Sequence, residues 1–595
     1  MPAKKTAKKA AANAAGSSTI KPATSNTAMF TPDLSGLQAC IDDVKAASLD
    51  SDSGPPEPTG FPSLMQRLET SRALLSKVFQ ISTADPFISS LNGIGETGYV
   101  QTLAADPTRE GTAGLLLDIA QAILQKGEGY SPDATDAFLE VVADLYDGFL
   151  SAEDRSGIKM PERVIVPPMV KWGNPDFGPY TWPFDATNHF GVKNAVVSMP
   201  PSNTRSGLMA WSALGHETCG HDVLHANAGL QGEIARLVRA ALAKEPPLDD
   251  KHTHLSSYWA TRIDETSSDV MGILNMGPAA AIGLVAYFRG LSAGAGSPAK
   301  LRRDGAADDP HPADSLRGYL AAATLRLLSF SDREGWAKAI EAQTDHDVGA
   351  GNSVRVAGNK ITQEQAKISA RIVAETIAAA PTHILNHHSL LDIQDWRDSD
   401  EQIVAALRTA LLSGNHTMAA FQPGVYATHV VAAATTAALA GAAALAGAAA
   451  PALLFRRMIQ MLKALSSRNP TWGPLAIVHR GSIARDFVRA EVTKDRILWV
   501  VCNELDAIVP FDPPIINNDG DPVSDASETE IDEALKEIDA EDTNKQPPRN
   551  CLDSFIMRLT KELGEFTLES QQLADGRFKT IGRLVSYISK NLNNQ

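Results

Sequence analysis

The stretch WSALGHETCGHDVLHANAGL (Trp211–Leu230) puts three histidines, His216, His221 and His225, within ten residues. An acid follows each of the first two, Glu217 and Asp222. The whole chain has 14 histidines in 595 residues, so this cluster is far denser than chance supplies. Imidazoles with carboxylates beside them on a predicted helix point to a metal site. A hydrolytic zinc site wants three protein ligands and one open position for water, and two of the three come economically from a single helix. A carboxylate beside the first ligand can take a proton from that water.

Two registers compete. His221-Asp222-Val223-Leu224-His225 has i, i+4 spacing, which on a regular helix separates the rings by only about 40°. Its acid is Asp222. His216-Glu217-Thr218-Cys219-Gly220-His221 has i, i+5 spacing and a full-length glutamate, Glu217, but a straight helix splays its rings by about 140°. That register needs one extra residue in the turn, a π-type insertion of the kind frequent at functional sites. Gly220 would ease the distortion.

HETCGH resembles the HExxGH zinc motif of the dipeptidyl peptidase III family. Downstream, SSYWATRIDETSSDVMGIL carries Asp264-Glu265 and then Asp269, a layout similar to the acid-bearing helix of that family and of the wider gluzincin peptidases. The resemblance implies His216, His221 and Glu265 as zinc ligands, one ion per chain. It also implies Glu217 as general base, with Asp269 orienting a ligand histidine. In this register His225 becomes a supporting or core residue. The local order of strand (Asn194–Met199), metal helix and glutamate helix is that of a zincin, whose strand edge pairs with an extended peptide.

Other candidates are weaker. Tyr258, just before the glutamate helix, could donate to a tetrahedral intermediate. His311, in DPHPADSLR (Asp309–Arg317), could steady an oxyanion, although its bland reading is a loop histidine. Cys219 reads as a small buried residue. His252, His254, His383, His387 and His388 read as structural or exposed.

Working outward, the pattern predicts a mainly α protein with a small β-sheet, an α+β chain holding a zincin-like core. Helical periodicity covers much of residues 31–158. RVIVPP and GVKNAVVSMPP read as short proline-ended strands within a metal-site region, 159–293. Helices are predicted at 229–243, 258–274, 279–291, 315–329, 363–380 and 400–412, with a loop at 294–314. A helical region, 294–455, ends in an alanine-rich stretch. Tyr426–Phe455 has no formal charge and would be long enough for a membrane. Its Ala and Gly content predicts instead a tightly packed helix or helical pair that Pro451 ends or kinks, so no membrane span is expected. Residues 456–595 mix both signals, with ILWVVC (Ile497–Cys502) predicted as a buried strand.

Hydrophobic residues at 44% and charged residues at 21% are ordinary for a globular protein and exclude a collagen or a mainly disordered chain. A net charge of −16 argues against a nucleic-acid partner. Much of it falls between Asp519 and Asp542, where eleven acids face one lysine. The surrounding segment, 517–548, reads as a solvated acidic loop. Cys40, Cys219, Cys502 and Cys551 form no CxxC pair, and free thiols suit a reducing, cytoplasmic setting. The first 30 residues, with Lys4, Lys5, Lys8 and Lys9, read as a disordered basic tail without a secretory core.

The function expected is a zinc-dependent hydrolase acting on a peptide or protein. Two alternatives stand beside it. One is an HD-type metal phosphohydrolase built from His221-Asp222 with His189 and Asp264 or Asp269. The other is a helical scaffold carrying a degenerate metal site.

Overall fold

A computed structural model describes residues 30–466 apart from 77–78, 151–157, 160–165, 174–177, 350, 417–424 and 442–449, and beyond 496 a scattered subset ending at 592. The basic tail, most of the acidic loop and Cys551 lie outside the described residues. The protein is mainly α with two three-stranded sheets. One apolar core runs from Leu37 to Leu465, and a second gathers residues between Ile497 and Ile588.

The first sheet has the order β1 (Met169–Trp172), β3 (Val196–Met199), β2 (Tyr180–Trp182), with β1 parallel and β2 antiparallel to β3. Every residue of β1 and β3 is buried, which is why their apolar runs are continuous rather than alternating. This corrects the zincin expectation for Asn194–Met199. The strand there is central, with both edges paired, so the edge left beside the metal region belongs to β2. The second sheet joins β4 (Asp304–Gly305), β5 (Ser353–Val356) and β6 (Asn359–Thr362). Its β5–β6 pairing was not read from the sequence because each strand has only four residues.

The glutamate helix, Ile263–Gly294, runs through the centre. The two helices predicted there form one element broken at Gly277 (φ 55°, ψ −138°), just before Pro278. Pro278 cannot donate to the preceding turn. A side chain at Gly277 would stand 2.6 Å from the Trp396 ring. The helix is long and apolar enough to cross a membrane, and its apolar window is buried within the protein.

The glutamate helix meets the segment 208–220 along a seam of small residues. Pairing Ser212 with Gly283, Gly215 with Gly272 and Gly220 with Ser268, the two backbones run side by side in opposite directions. An added Cβ at Gly283 would be 2.0 Å from Ser212 Oγ, one at Gly215 2.9 Å from Gly272 Cα, and one at Gly220 1.9 Å from Ser268 Oγ. Leucine-sized residues would hold such helices apart by 8–10 Å or so. The seam brings the metal segment against the glutamate helix, and the site depends on that approach.

One further expectation changes. The residues described within Ile497–Cys502 are helical, not a strand. An apolar run without alternation reports burial, and a buried helix reads the same way. Pro451 lies in the helix described over Ala450–Ser466, and residues 442–449 before it lie outside the described residues, so the expectation that it ends or kinks the alanine-rich helix falls partly on them. Ala427–Leu439 is a separate buried helix, as the helical-pair reading has it.

The seam predicts opposite outcomes for two glycine-to-alanine changes. Gly220→Ala should destabilise the fold by about 2 kcal/mol or more, since Ser268 and the helix behind it must move. Gly232→Ala, in an open and exposed helix position, should be neutral or stabilising by up to about 1 kcal/mol. Urea denaturation of both variants measures this, and equal midpoints would refute the seam.

Candidate metal centre

His216–Gly220 is a π-helical turn of five residues that follows the short helix Leu208–Ser212. The widened turn sets His216 and His221 on one side despite their spacing of five. Their Nε2 atoms stand 3.1 Å apart. Glu265, in the first turn of the glutamate helix, points at both: Oε2 is 3.4 Å from His216 Nε2 and Oε1 is 3.5 Å from His221 Nε2. One donor atom from each of the three residues lies within 4.8 Å of the others.

The outer nitrogens are also held. His216 Nδ1 is 2.9 Å from Asp269 Oδ1, and His221 Nδ1 is 2.9 Å from Asp264 Oδ2. Arg317, on the helix Asp314–Leu325, grips Asp269 through two 2.7 Å bonds. Gln231 Nε2 donates to the other oxygen of Asp264 at 2.6 Å. With each Nδ1–H donated to its carboxylate, both Nε2 lone pairs face one another and the Glu265 oxygens. Glu265 Oε2 is buried with no hydrogen-bond partner among the described residues. A buried convergence of acceptors is costly unless a cation or protons occupy it. Two imidazoles and one carboxylate, each imidazole braced by an acid, suit a divalent ion such as zinc.

Protons hold the site in the absence of metal. Burial opposes charge on His216, but the hydrogen bonds and charges of Asp269 and Glu265 outweigh it and push the pKa up to about 10. His221 is raised as well, against burial, by Asp264. Burial acts to raise Glu265 and Asp269, yet His216 and Arg317 hold both below their usual range.

Comparison with protein-family models, with curated proteins and with solved structures finds no match to this chain.

The other sequence candidates fall in different places. Glu217 is buried and lines a cavity of about 1250 Å³ that also takes in His216, His221 and Glu265. Thr181 of β2 lies 3.0 Å from the Glu217 carbonyl oxygen and 3.3 Å from its Oε2. Asp222 is turned away: its Oδ1 accepts from the Phe184 amide at 2.8 Å, and burial raises its pKa to about 7. The chain leaves the helix at His221, and His225 lies in a separate 3-10 turn, Val223–Ala226. The i, i+4 clamp therefore does not form. His225 instead flanks Asp264, with Nε2 3.8 Å away, and Asp185, with Nδ1 3.3 Å away. His189 is exposed beside Phe190, outside the cluster, so the HD set is not brought together.

His311 lines the cavity with Nε2 3.4 Å from Glu265 Oε1. Tyr258 does not reach it: its hydroxyl accepts from the Ala313 amide at 3.0 Å and is packed against Gly305. This corrects the expectation of a donor there. Two other tyrosines line the cavity, Tyr180 of β2 and Tyr287 on the far half of the glutamate helix; the Tyr180 hydroxyl is engaged with Asp118 at 2.6 Å. Burial and then the charge of Glu217 raise the pKa of Tyr287, so its hydroxyl stays protonated. No motif signalled Tyr287, because the break at Gly277 sets where the second half of the helix points. Cys219 is buried, its Sγ 3.7 Å from the Leu145 carbonyl. His383 and His387 are exposed with their rings 5.4 Å apart, and both stand away from the cluster.

Two measurements follow. His216→Ala and His221→Ala should each lose bound divalent metal, whereas His225→Ala should keep near wild-type content, read by elemental analysis after gel filtration. Metal retained in the first two would refute the ligand set. The acids around His216 raise its pKa above the free imidazole value, so metal binding is expected to displace a proton at neutral pH. Affinity should therefore weaken as pH falls. At pH 7.5, calorimetric heats should vary with the ionisation enthalpy of the buffer, and buffer-independent heats would contradict proton release.

Proposed function

We propose that this protein is a zinc-dependent hydrolase, in the first instance a metallopeptidase. The observation that carries the reading is the convergence of His216, His221 and Glu265 beside a buried Glu217 in one cavity. The local likeness of HETCGH and the Asp264–Asp269 segment to the gluzincin motifs agrees with it.

His216, His221 and Glu265 would hold the ion. When bound, zinc supplies Lewis acidity to a carbonyl oxygen and makes water more acidic. Glu217 accepts a proton from the attacking water and returns it to the leaving amine. Thr181 hydrogen-bonds to Glu217 and fixes its carboxylate against β2. Tyr287, kept protonated, is suited to donate to the oxygen on which negative charge develops. Asp264 and Asp269 hold the two imidazoles in the tautomer that leaves Nε2 free for the ion. Arg317 neutralises Asp269, so the buried acid keeps its charge without drawing the proton fully from His216.

No nucleic-acid role is proposed. The phosphohydrolase alternative loses support because Asp222 is engaged with Phe184. The scaffold alternative makes a different prediction, because a scaffold with a degenerate site has no need of stoichiometric zinc.

Glu217→Gln keeps size and hydrogen bonding but cannot accept a proton at neutral pH. It should retain zinc and lose at least about a hundredfold in hydrolysis of a mixed peptide library. Tyr287→Phe should lower kcat about ten- to a hundredfold with zinc retained. Wild-type rates in Glu217→Gln would sink the mechanism.

A further inference from the structure

The cavity wall opposite in chemistry to the metal cluster is the arm Lys300-Leu301-Arg302-Arg303, all four of which line it. The cavity's other arginines have acids of their own. Arg109 pairs with Glu57 at 3.4 Å, Arg317 with Asp269, and Arg302 with Asp314 at 2.9 Å and Asp309 at 3.3 Å. Lys300 and Arg303 have no carboxylate partner among the described residues. Arg303 makes only a 3.3 Å bond to the Val348 carbonyl oxygen. The neighbouring acid, Asp304, is turned to Arg355 at 3.5 Å. Glu110, the exposed acid elsewhere on the wall, belongs to a separate segment.

The arm is fixed in place. The Leu301 amide donates to Asp347 at 3.0 Å, and Asp347 is itself buried in an ion pair with Arg289 at 2.7 Å. Arg302 is bound through its backbone and its guanidinium to Asp314, at the start of the helix that carries Arg317. The Arg303 carbonyl accepts from the Arg355 amide at 2.8 Å, where β4 joins β5. Further along the same loop, Asp309 holds His311 against Glu265. Two cations without a carboxylate partner among the described residues, the exposed Lys300 and the half-buried Arg303, therefore stand on an anchored backbone in the cavity wall, where Glu110 is the one acid outside the metal cluster without an ion pair among the described residues.

We infer that Lys300 and Arg303 form an anion subsite that takes a carboxylate of the substrate. This deepens the peptidase reading and rests on it: the preferred peptides carry a free C-terminal carboxylate or an acidic side chain. Both sources offer the same chemistry, a carboxylate accepting charge-assisted hydrogen bonds from a guanidinium and an ammonium.

The test separates binding from turnover. Zinc-loaded full-length Glu217→Gln is titrated calorimetrically with three N-acetyl pentapeptides: pentaalanine free acid, pentaalanine amide, and the amide with one alanine replaced by glutamate. The free acid or the glutamate peptide should bind at least about tenfold more tightly than the plain amide. Which of the two does so identifies the source of the carboxylate. Adding Lys300→Gln and Arg303→Gln should remove the difference while zinc content and melting temperature hold. Lys300→Arg with Arg303→Lys should preserve it. Equal affinities for all three peptides, a preference that survives the double glutamine change, or no binding would overturn the subsite. Failure of the wild type to cleave any peptide would instead overturn the peptidase reading, and leaves the binding comparison decisive for the subsite.

Discussion

The site depends on how closely two backbones can approach. The segment 208–220 and the glutamate helix lie against each other where Gly215 faces Gly272, Gly220 faces Ser268 and Ser212 faces Gly283. Hydrogen in place of a side chain is what lets a glutamate from one element and two histidines from the other meet in a single cluster. A methyl group at Gly220 would overlap Ser268, and the helix carrying Glu265 would have to withdraw. The alanine and glycine content of these elements is thus a geometric requirement of the site, quite apart from helix propensity.

Electrostatics then sets the order of the layers. Three acids, Asp264, Glu265 and Asp269, lie on one helix within six residues, and two ligand imidazoles lie against them. Two of them, Glu265 and Asp269, are buried, and buried carboxylates are tolerable only with matched positive charge. Arg317 supplies one full charge from the neighbouring helix, and the acids around His216 and His221 raise the affinity of both imidazoles for a proton. The proposed metal would have to compete with those protons, which would couple its affinity to pH.

The far side of the cavity is organised differently. There the loop between the glutamate helix and the helix of Arg317 is tied down residue by residue, through Asp347, Asp314 and the short β4–β5 pairing. The result is a wall that presents His311 toward the metal cluster and Lys300 and Arg303 to the cavity. The cavity thus carries both the acids of the histidine cluster and cations without carboxylate partners among the described residues.

Much of this was legible in the residues alone. Helical periodicity located most of the long elements, because a helix buried on one face must repeat its apolar residues. The spacing of His216 and His221 required a π-type turn if both were to serve one ion, and Gly220 marked where it could form. Composition pointed to packed helix for the alanine-rich stretch, and its described part Ala427–Leu439 is a buried helix. Tertiary structure decided the rest. Whether Asp222 or Glu217 enters the cavity depends on where the chain leaves the helix after His221, which no periodicity encodes. The run Ile497–Cys502 looked like a strand because burial on all sides erases the difference between the two periods. Tyr258 and Tyr287 sit on either side of Glu265 in sequence; the Tyr258 hydroxyl is taken up by the Ala313 amide, whereas Tyr287 lies beyond the helix break at Gly277 and lines the cavity. The sequence by itself determined which groups could bind a metal. Three-dimensional packing decided which of them meet, because a side chain's neighbours are set by the path of the backbone and not by its own chemistry.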